Sequence, residues 1–126
     1  MPWKPDGYNS ASPYLLIAEA EATLAFLKAV FDAQPLRRHE RADGTIRHAE
    51  MRIDDTVIMI GGAQAGWPTT PAHVHVYVPD VDATYKRALA NGATSVQEPV
   101  RKGDGDRRGG VMDPGGTTWW FATAAA

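Results

Sequence analysis

His73-Val74-His75-Val76-Tyr77-Val78-Pro79-Asp80-Val81-Asp82-Ala83-Thr84 alternates strictly up to Val78 and changes period after Pro79. Period two marks a strand whose two faces differ, and the later spacing marks a helix. Val74, Val76 and Val78 point to one face and should pack beneath a helix, while His73, His75 and Tyr77 point to the other. In the helix that follows, Val81, Tyr85, Ala88 and Leu89 should line one face. Asn91-Gly92 is its stop, because both residues tolerate the left-handed conformation.

The same passage occurs earlier in the chain. Glu21-Ala22-Thr23 lies 61 positions before Asp82-Ala83-Thr84, and at that offset Leu15 falls on Val76 and Ile17 on Val78. A duplicated unit is therefore expected. Its first copy reads as a strand Pro13–Ile17 and a helix from Glu19 to about Phe31, with Leu24, Leu27 and Phe31 as the apolar stripe beside Phe26 and Val30. Strands Leu36–Arg41, Thr45–Ile53 and Thr56–Ile60 follow, the last ended by Gly61-Gly62. Ala63 to Pro71 has no periodicity and reads as a linker. The second copy continues with strands Ser95–Arg101, Arg107–Met112 and Thr117–Thr123, with turns at Lys102-Gly103-Asp104-Gly105 and Asp113-Pro114-Gly115-Gly116. The expectation is an α+β protein of two βαβββ modules in one domain, 1–126. Module one covers about 12–62, the linker about 63–71 and module two about 72–124. Residues 1–11 read as an extended arm.

The pleat assigns each strand two faces. Leu15 and Ile17, Ala49, Met51 and Ile53, and Trp119 and Phe121 belong to the helix-covered side. Ser12, Tyr14 and Leu16, His48, Glu50 and Arg52, and Thr118, Trp120 and Ala122 share the open side with His73, His75 and Tyr77. Aromatic area with a few polar groups is the composition of a small-molecule pocket.

Composition excludes several classes. The 126-residue chain has no cysteine, so disulfides, thiolate metal sites and a cysteine nucleophile are ruled out. A net charge of −2 supplies no basic field for nucleic acid. The start Met1-Pro2-Trp3-Lys4-Pro5 lacks the apolar stretch of a secretory signal, and no run reaches the roughly 18 apolar residues of a membrane helix. A cytoplasmic protein without a membrane partner is expected.

Three features together resemble the vicinal oxygen chelate superfamily, the group of glyoxalase, bleomycin-resistance and extradiol dioxygenase proteins. They are the paired module order, the passage His73 to Asp82, and the tail Gly105-Asp106-Arg107-Arg108-Gly109-Gly110-Val111-Met112-Asp113-Pro114-Gly115-Gly116. Gly7-Tyr8 to Tyr14-Leu15, with His48-Ala49-Glu50-Met51, is most similar to its PhnB-like branch. The resemblance spans roughly residues 8–124. It implies a U-shaped mixed sheet around a cleft, helices on the outer face, and a homodimer. It also implies four metal-ligand positions, which fall on Ser12, Met59, His73 and Trp120. Of these only His73 is a good ligand for a divalent ion.

The expected site therefore comprises Tyr14, His48, Glu50, Met59, His73, His75, Tyr77 and Trp120, with no cofactor. It would bind or sequester an aromatic compound or antibiotic, stacked on Trp120 in the bleomycin-resistance manner. One alternative is a metal-dependent glyoxalase-type lyase, isomerase or dioxygenase, its metal held by a rebuilt set of His48, Glu50, His73 and His75, with Glu50 a candidate general base. A second is a structural or regulatory dimer without ligand. Arg107-Arg108 reads as a clamp for an anionic group or as a solvated hairpin end. Trp67, in the linker, reads as a lid or a dimer contact.

Overall fold

A computed structural model describes residues 3–125; Met1 and Pro2 of the arm and Ala126 lie outside the described residues. The element order is β1 (Tyr14–Ile17), α1 (Ala20–Phe31), β2 (Gln34–Glu40), β3 (Ile46–Ile53), β4 (Thr56–Gly62), β5 (His73–Tyr77), α2 (Val81–Ala90), β6 (Thr94–Arg101), β7 (Arg107–Met112) and β8 (Thr118–Thr123). Each module forms a four-stranded mixed sheet, in the orders β1-β4-β3-β2 and β5-β8-β7-β6. The sheet of the fold is thus made in two halves, with β1 and β5 at an edge of each.

The duplication is visible in the pairing. Tyr14 lies opposite Met59 in module one, and His75 opposite Trp120 in module two. Both partners have moved by the same 61 positions. In each module the first strand runs parallel to the fourth, which the intervening helix permits. That pairing carries β4 through Gly61 and Gly62, opposite Leu16 and Ile17, where a strand end was expected.

One apolar core joins the modules. Leu15, Ile17, Ile58 and Ile60 meet Phe26, Leu27 and Val30 of α1, while Trp119 and Phe121 of β8 are fully buried. Phe31 bridges the halves, its ring 5.6 Å from Trp119 and 6.3 Å from Phe121. Arg87 of α2 donates to the carbonyl of Val30 at 2.9 Å, satisfying an end of α1. The Asp113 turn is tied into this core. Its carboxylate accepts from the backbone of Gly115 and Thr117 and from the indole of buried Trp119, at 2.8, 3.1 and 2.9 Å.

Three helix positions differ from the periodic reading. Leu24 and Phe31 are only partly buried, because Ala20, Thr23, Phe26, Leu27 and Val30 take the inner face of α1. Leu89 is 39% exposed; it lies about 80° around α2 from Val81 and so leaves the stripe formed by Val81, Thr84 and Ala88. Asp80 caps α2 through its side chain, whereas Glu19 makes no such bond at the start of α1. In β8, Ala122 is fully buried where open-face exposure was expected. It lies between Tyr77 and Arg108 on the neighbouring strands, and their longer side chains cover a methyl group.

Candidate functional site

On the open face of module one, register brings Tyr14, Met59 and Glu50 side by side across β1, β4 and β3. Glu50 is only 4% exposed, although its strand face is open. The cover comes from the N-terminal arm. Tyr8 donates its hydroxyl to Glu50, Arg52 donates to the carbonyl of Gly7 at 3.0 Å, and the side-chain oxygen of Asn9 accepts from Val57 at 3.0 Å. The arm is therefore folded against the sheet.

His48 completes this line. Its Nε2 lies 2.7 Å from Glu50, and its Nδ1 lies 3.3 Å from the Tyr14 hydroxyl. Burial pushes the Glu50 carboxyl up, but the hydrogen bonds from His48 and Tyr8 outweigh it and leave the group below its ordinary value. The ionised carboxylate holds the Nε2 proton of His48, so a neutral ring turns its Nδ1 lone pair to Tyr14. The Tyr8 hydroxyl is pushed up, first by the bond it gives to Glu50. Tyr14 can reach His48 because residue 61 is glycine: a Cβ there would stand 2.9 Å from the Tyr14 ring.

This face carries a cavity of about 480 Å3, walled by Tyr14, His39, Arg41, Arg47, His48, Gln64 and Trp67. Trp67 sits on its rim in a tight turn, where Gln64 and Trp67 exchange backbone hydrogen bonds of 2.9 and 2.8 Å.

The open face of module two has a different chemistry. Trp120 lies across Gly110, where a Cβ would stand 2.6 Å from the indole. Its Nε1 donates to Nδ1 of His73 at 3.0 Å, with the two rings 11° from parallel. Beside them, Arg108 donates Nε to Nε2 of His75 at 2.9 Å. By register this pair repeats Tyr14 and His48 of module one. Burial, and then the Arg108 charge, hold His75 below its ordinary value, so it stays neutral as an acceptor. Arg108 also meets Asp104 at 3.0 Å and Asp106 at 3.5 Å, and the Tyr77 hydroxyl donates to Asp106 at 3.1 Å. Arg107 pairs with Asp82 at 2.8 Å. Both arginines of the expected clamp are thus engaged with carboxylates of their own chain.

The eight expected residues form two groups within one chain. Tyr14, His48, Glu50 and Met59 lie on module one; His73, His75, Tyr77 and Trp120 lie on module two. Another cavity, of about 780 Å3, is elsewhere: it lies at the seam of the modules beside Phe31, Arg52, Val76, Tyr77 and Arg87. Tyr8 was not among the expected residues. Its signal was one of two aromatic side chains in the arm, the other being Trp3, but only the folded arm places it 42 residues away on Glu50.

The metal positions implied by the fold can be tested on these donors. The Ser12 hydroxyl accepts from Asn9 at 2.9 Å, Met59 offers a thioether, and Trp120 offers an N–H donor and no lone pair. The remaining imidazole, His73, spends Nδ1 on Trp120. This set does not fit a divalent cation. His48 and Glu50 do not meet His73 and His75, and among the described residues no group of three His, Asp or Glu side chains is gathered as for a metal. No helix among them is long and apolar enough to cross a membrane.

Residues 12–121 match the model of the family described as the Glyoxalase/Bleomycin resistance protein/Dioxygenase superfamily. An uncharacterised protein of Mycobacterium bovis is 37% identical over 119 residues, covering 86% of this chain and 78% of that protein. Among solved structures, TioX from Micromonospora sp. ML1 is 29% identical with a TM-score of 0.74, covering 90% of this chain and 98% of TioX. TnmS3 from Streptomyces sp. CB03234, described as an antibiotic binding protein, is 16% identical with a TM-score of 0.72, over 93% and 98% of the two chains. At that identity the likeness to TnmS3 concerns the fold.

Proposed function

The chain belongs to the glyoxalase/bleomycin resistance protein/dioxygenase superfamily, and from that premise we propose that it binds and sequesters a small aromatic compound, of the antibiotic type, without a metal. The observation that carries this reading is the Trp120 side chain. It puts an aromatic plate, hydrogen-bonded to His73, at a position that the family resemblance implies for a metal ligand. An indole presented on an open sheet face is a stacking surface. Exposed Tyr14 and Tyr77, 45% and 63% accessible, add aromatic area to the two open faces. The description of TnmS3 as an antibiotic binding protein is consistent with the same use of this fold.

The reading includes a cytoplasmic homodimer. Edge strands β1 and β5 lie beside the open faces. A second copy set against them would bring module one of one chain over module two of the other and enclose a cleft. Light scattering on the purified protein should return twice the 13.6 kDa chain mass; a monomer at all concentrations would overturn this part.

The test of function is calorimetric titration with bleomycin and daunorubicin, for wild type and Trp120→Ala. Wild type should bind at least one of them, and the variant should lose about tenfold or more, as when an aromatic anchor is removed. Equal binding by a folded variant would overturn the reading. So would metal-dependent turnover of the glutathione–methylglyoxal hemithioacetal, the outcome required of a glyoxalase-type enzyme.

A further inference from the structure

We infer that the module-one cavity takes an aromatic carboxylate, with Arg47 as the residue that selects the anion. This rests on the aromatic-binding reading and adds the charge class of the ligand. At about 480 Å3 the cavity falls within the roughly 300–1,000 Å3 range of small-molecule sites. Its walls combine two aromatic side chains, Tyr14 and Trp67, with the basic residues His39, Arg41, Arg47 and His48. No carboxylate is among its lining residues. Of the acids beside it, Glu50 is buried behind His48 and Tyr8 and already accepts from both, and Glu40 of β2 pairs with Arg38 at 2.8 Å.

Neither arginine of the cavity is in an ion pair among the described residues. Arg41 is held by neutral acceptors, the carbonyls of Ile46 and Gly62 and the Thr45 hydroxyl. Arg47 makes no ion pair among the described residues and is itself exposed. The contrast with module two is direct. There Arg107 is neutralised by Asp82, and Arg108 by Asp104 and Asp106. A cleft lined by one sign of charge concentrates the opposite sign, and a guanidinium fork fits a carboxylate. The Tyr14 ring, its hydroxyl 3.3 Å from His48 Nδ1, forms an aromatic wall beside the two arginines. The exposed Trp67 ring, 55% accessible on the rim, gives the ring system of the ligand a surface to cover.

The experiment compares 2-naphthoate with its neutral isostere 2-naphthamide, titrated into wild type and Arg47→Gln at low and at moderate salt. Wild type should prefer naphthoate about tenfold at low salt. The preference should shrink about fivefold or more in Arg47→Gln and fall with added salt, while the affinity for naphthamide stays unchanged. Arg47 is exposed, so the variant should fold, and retained naphthamide binding reports that it has. Equal binding of the two probes by wild type, or a preference that survives Arg47→Gln, overturns the carboxylate assignment and leaves aromatic binding intact. Failure of both probes to bind wild type overturns the carboxylate assignment, and failure of bleomycin and daunorubicin as well overturns the aromatic-binding reading with it.

Discussion

The Trp120 indole donates to Nδ1 of His73 at 3.0 Å and lies nearly parallel to it. A neutral His73 then carries its proton on Nε2, so neither ring nitrogen offers a free lone pair. The two residues occupy neighbouring strands, opposite one another's flanks in the β5–β8 register. The pair joins two of the four positions that the family resemblance implies for metal ligands, and it spends the better of the two donors.

The first prediction concerns metals. Nickel, zinc or manganese at a hundredfold excess over a tight site would add about 2.7 kcal/mol of stability, which a chain of this size would show as a shift of several degrees. The expected shift is under about 1 °C on that scale. Stoichiometric metal retained through dialysis would contradict it.

Glu50 should make stability depend on pH. Its folded value is depressed below the ordinary 4.5. A depressed carboxylate contributes stability above the unfolded value and loses it as pH falls through the folded one. Glu50→Gln should therefore cost about 1–3 kcal/mol at pH 7, because two donors lose a charged acceptor. The gap to wild type should narrow below pH 4.5. Urea unfolding of both proteins at pH 7 and in acid measures this, and a gap that widens in acid would refute it.

Gly110→Ala should displace the indole. The added methyl carbon would stand 2.6 Å from Trp120 Cε3. Overpacking of this kind costs about 1–3 kcal/mol. The variant should melt lower, show altered near-ultraviolet dichroism, and lose aromatic-ligand affinity together with Trp120→Ala. A variant that binds and melts as wild type would show that the ring moves aside freely.

Asp113→Ala should be the most damaging of these substitutions. It strands two backbone N–H groups and the Trp119 indole N–H in the core. Each buried donor left without an acceptor costs about 1–3 kcal/mol. Loss of at least about 3 kcal/mol in chemical unfolding is expected. A ligand affinity unchanged in the surviving folded fraction would mark Asp113 as a structural anchor outside the site.

The face assignments are legible in the sequence because a strand alternates by geometry. Val74, Val76 and Val78 pack against the core, and His73, His75 and Tyr77 lie open, as period two requires. Glu50 shows the limit of that rule. Alternation places it on the open face but says nothing of Tyr8, which arrives from the arm and buries it. Ala122 fails for a related reason, since its burial depends on the size of its neighbours Tyr77 and Arg108 rather than on its own period.

The repeat was determined by the sequence alone. The offset from Glu21 to Asp82 is the offset from Tyr14 to His75 and from Met59 to Trp120 in the strand pairing. Local spacing sets it, because strand and helix periods are properties of adjacent residues. Which polar groups meet was decided only in three dimensions. His48 and Glu50 pair with Tyr14 and Tyr8, His73 pairs with Trp120, and the two groups stay on separate sheets. Hydrogen bonds act over about 3 Å, and only the packing of β1 beside β4 and of β5 beside β8 sets distances on that scale between residues so far apart in the chain.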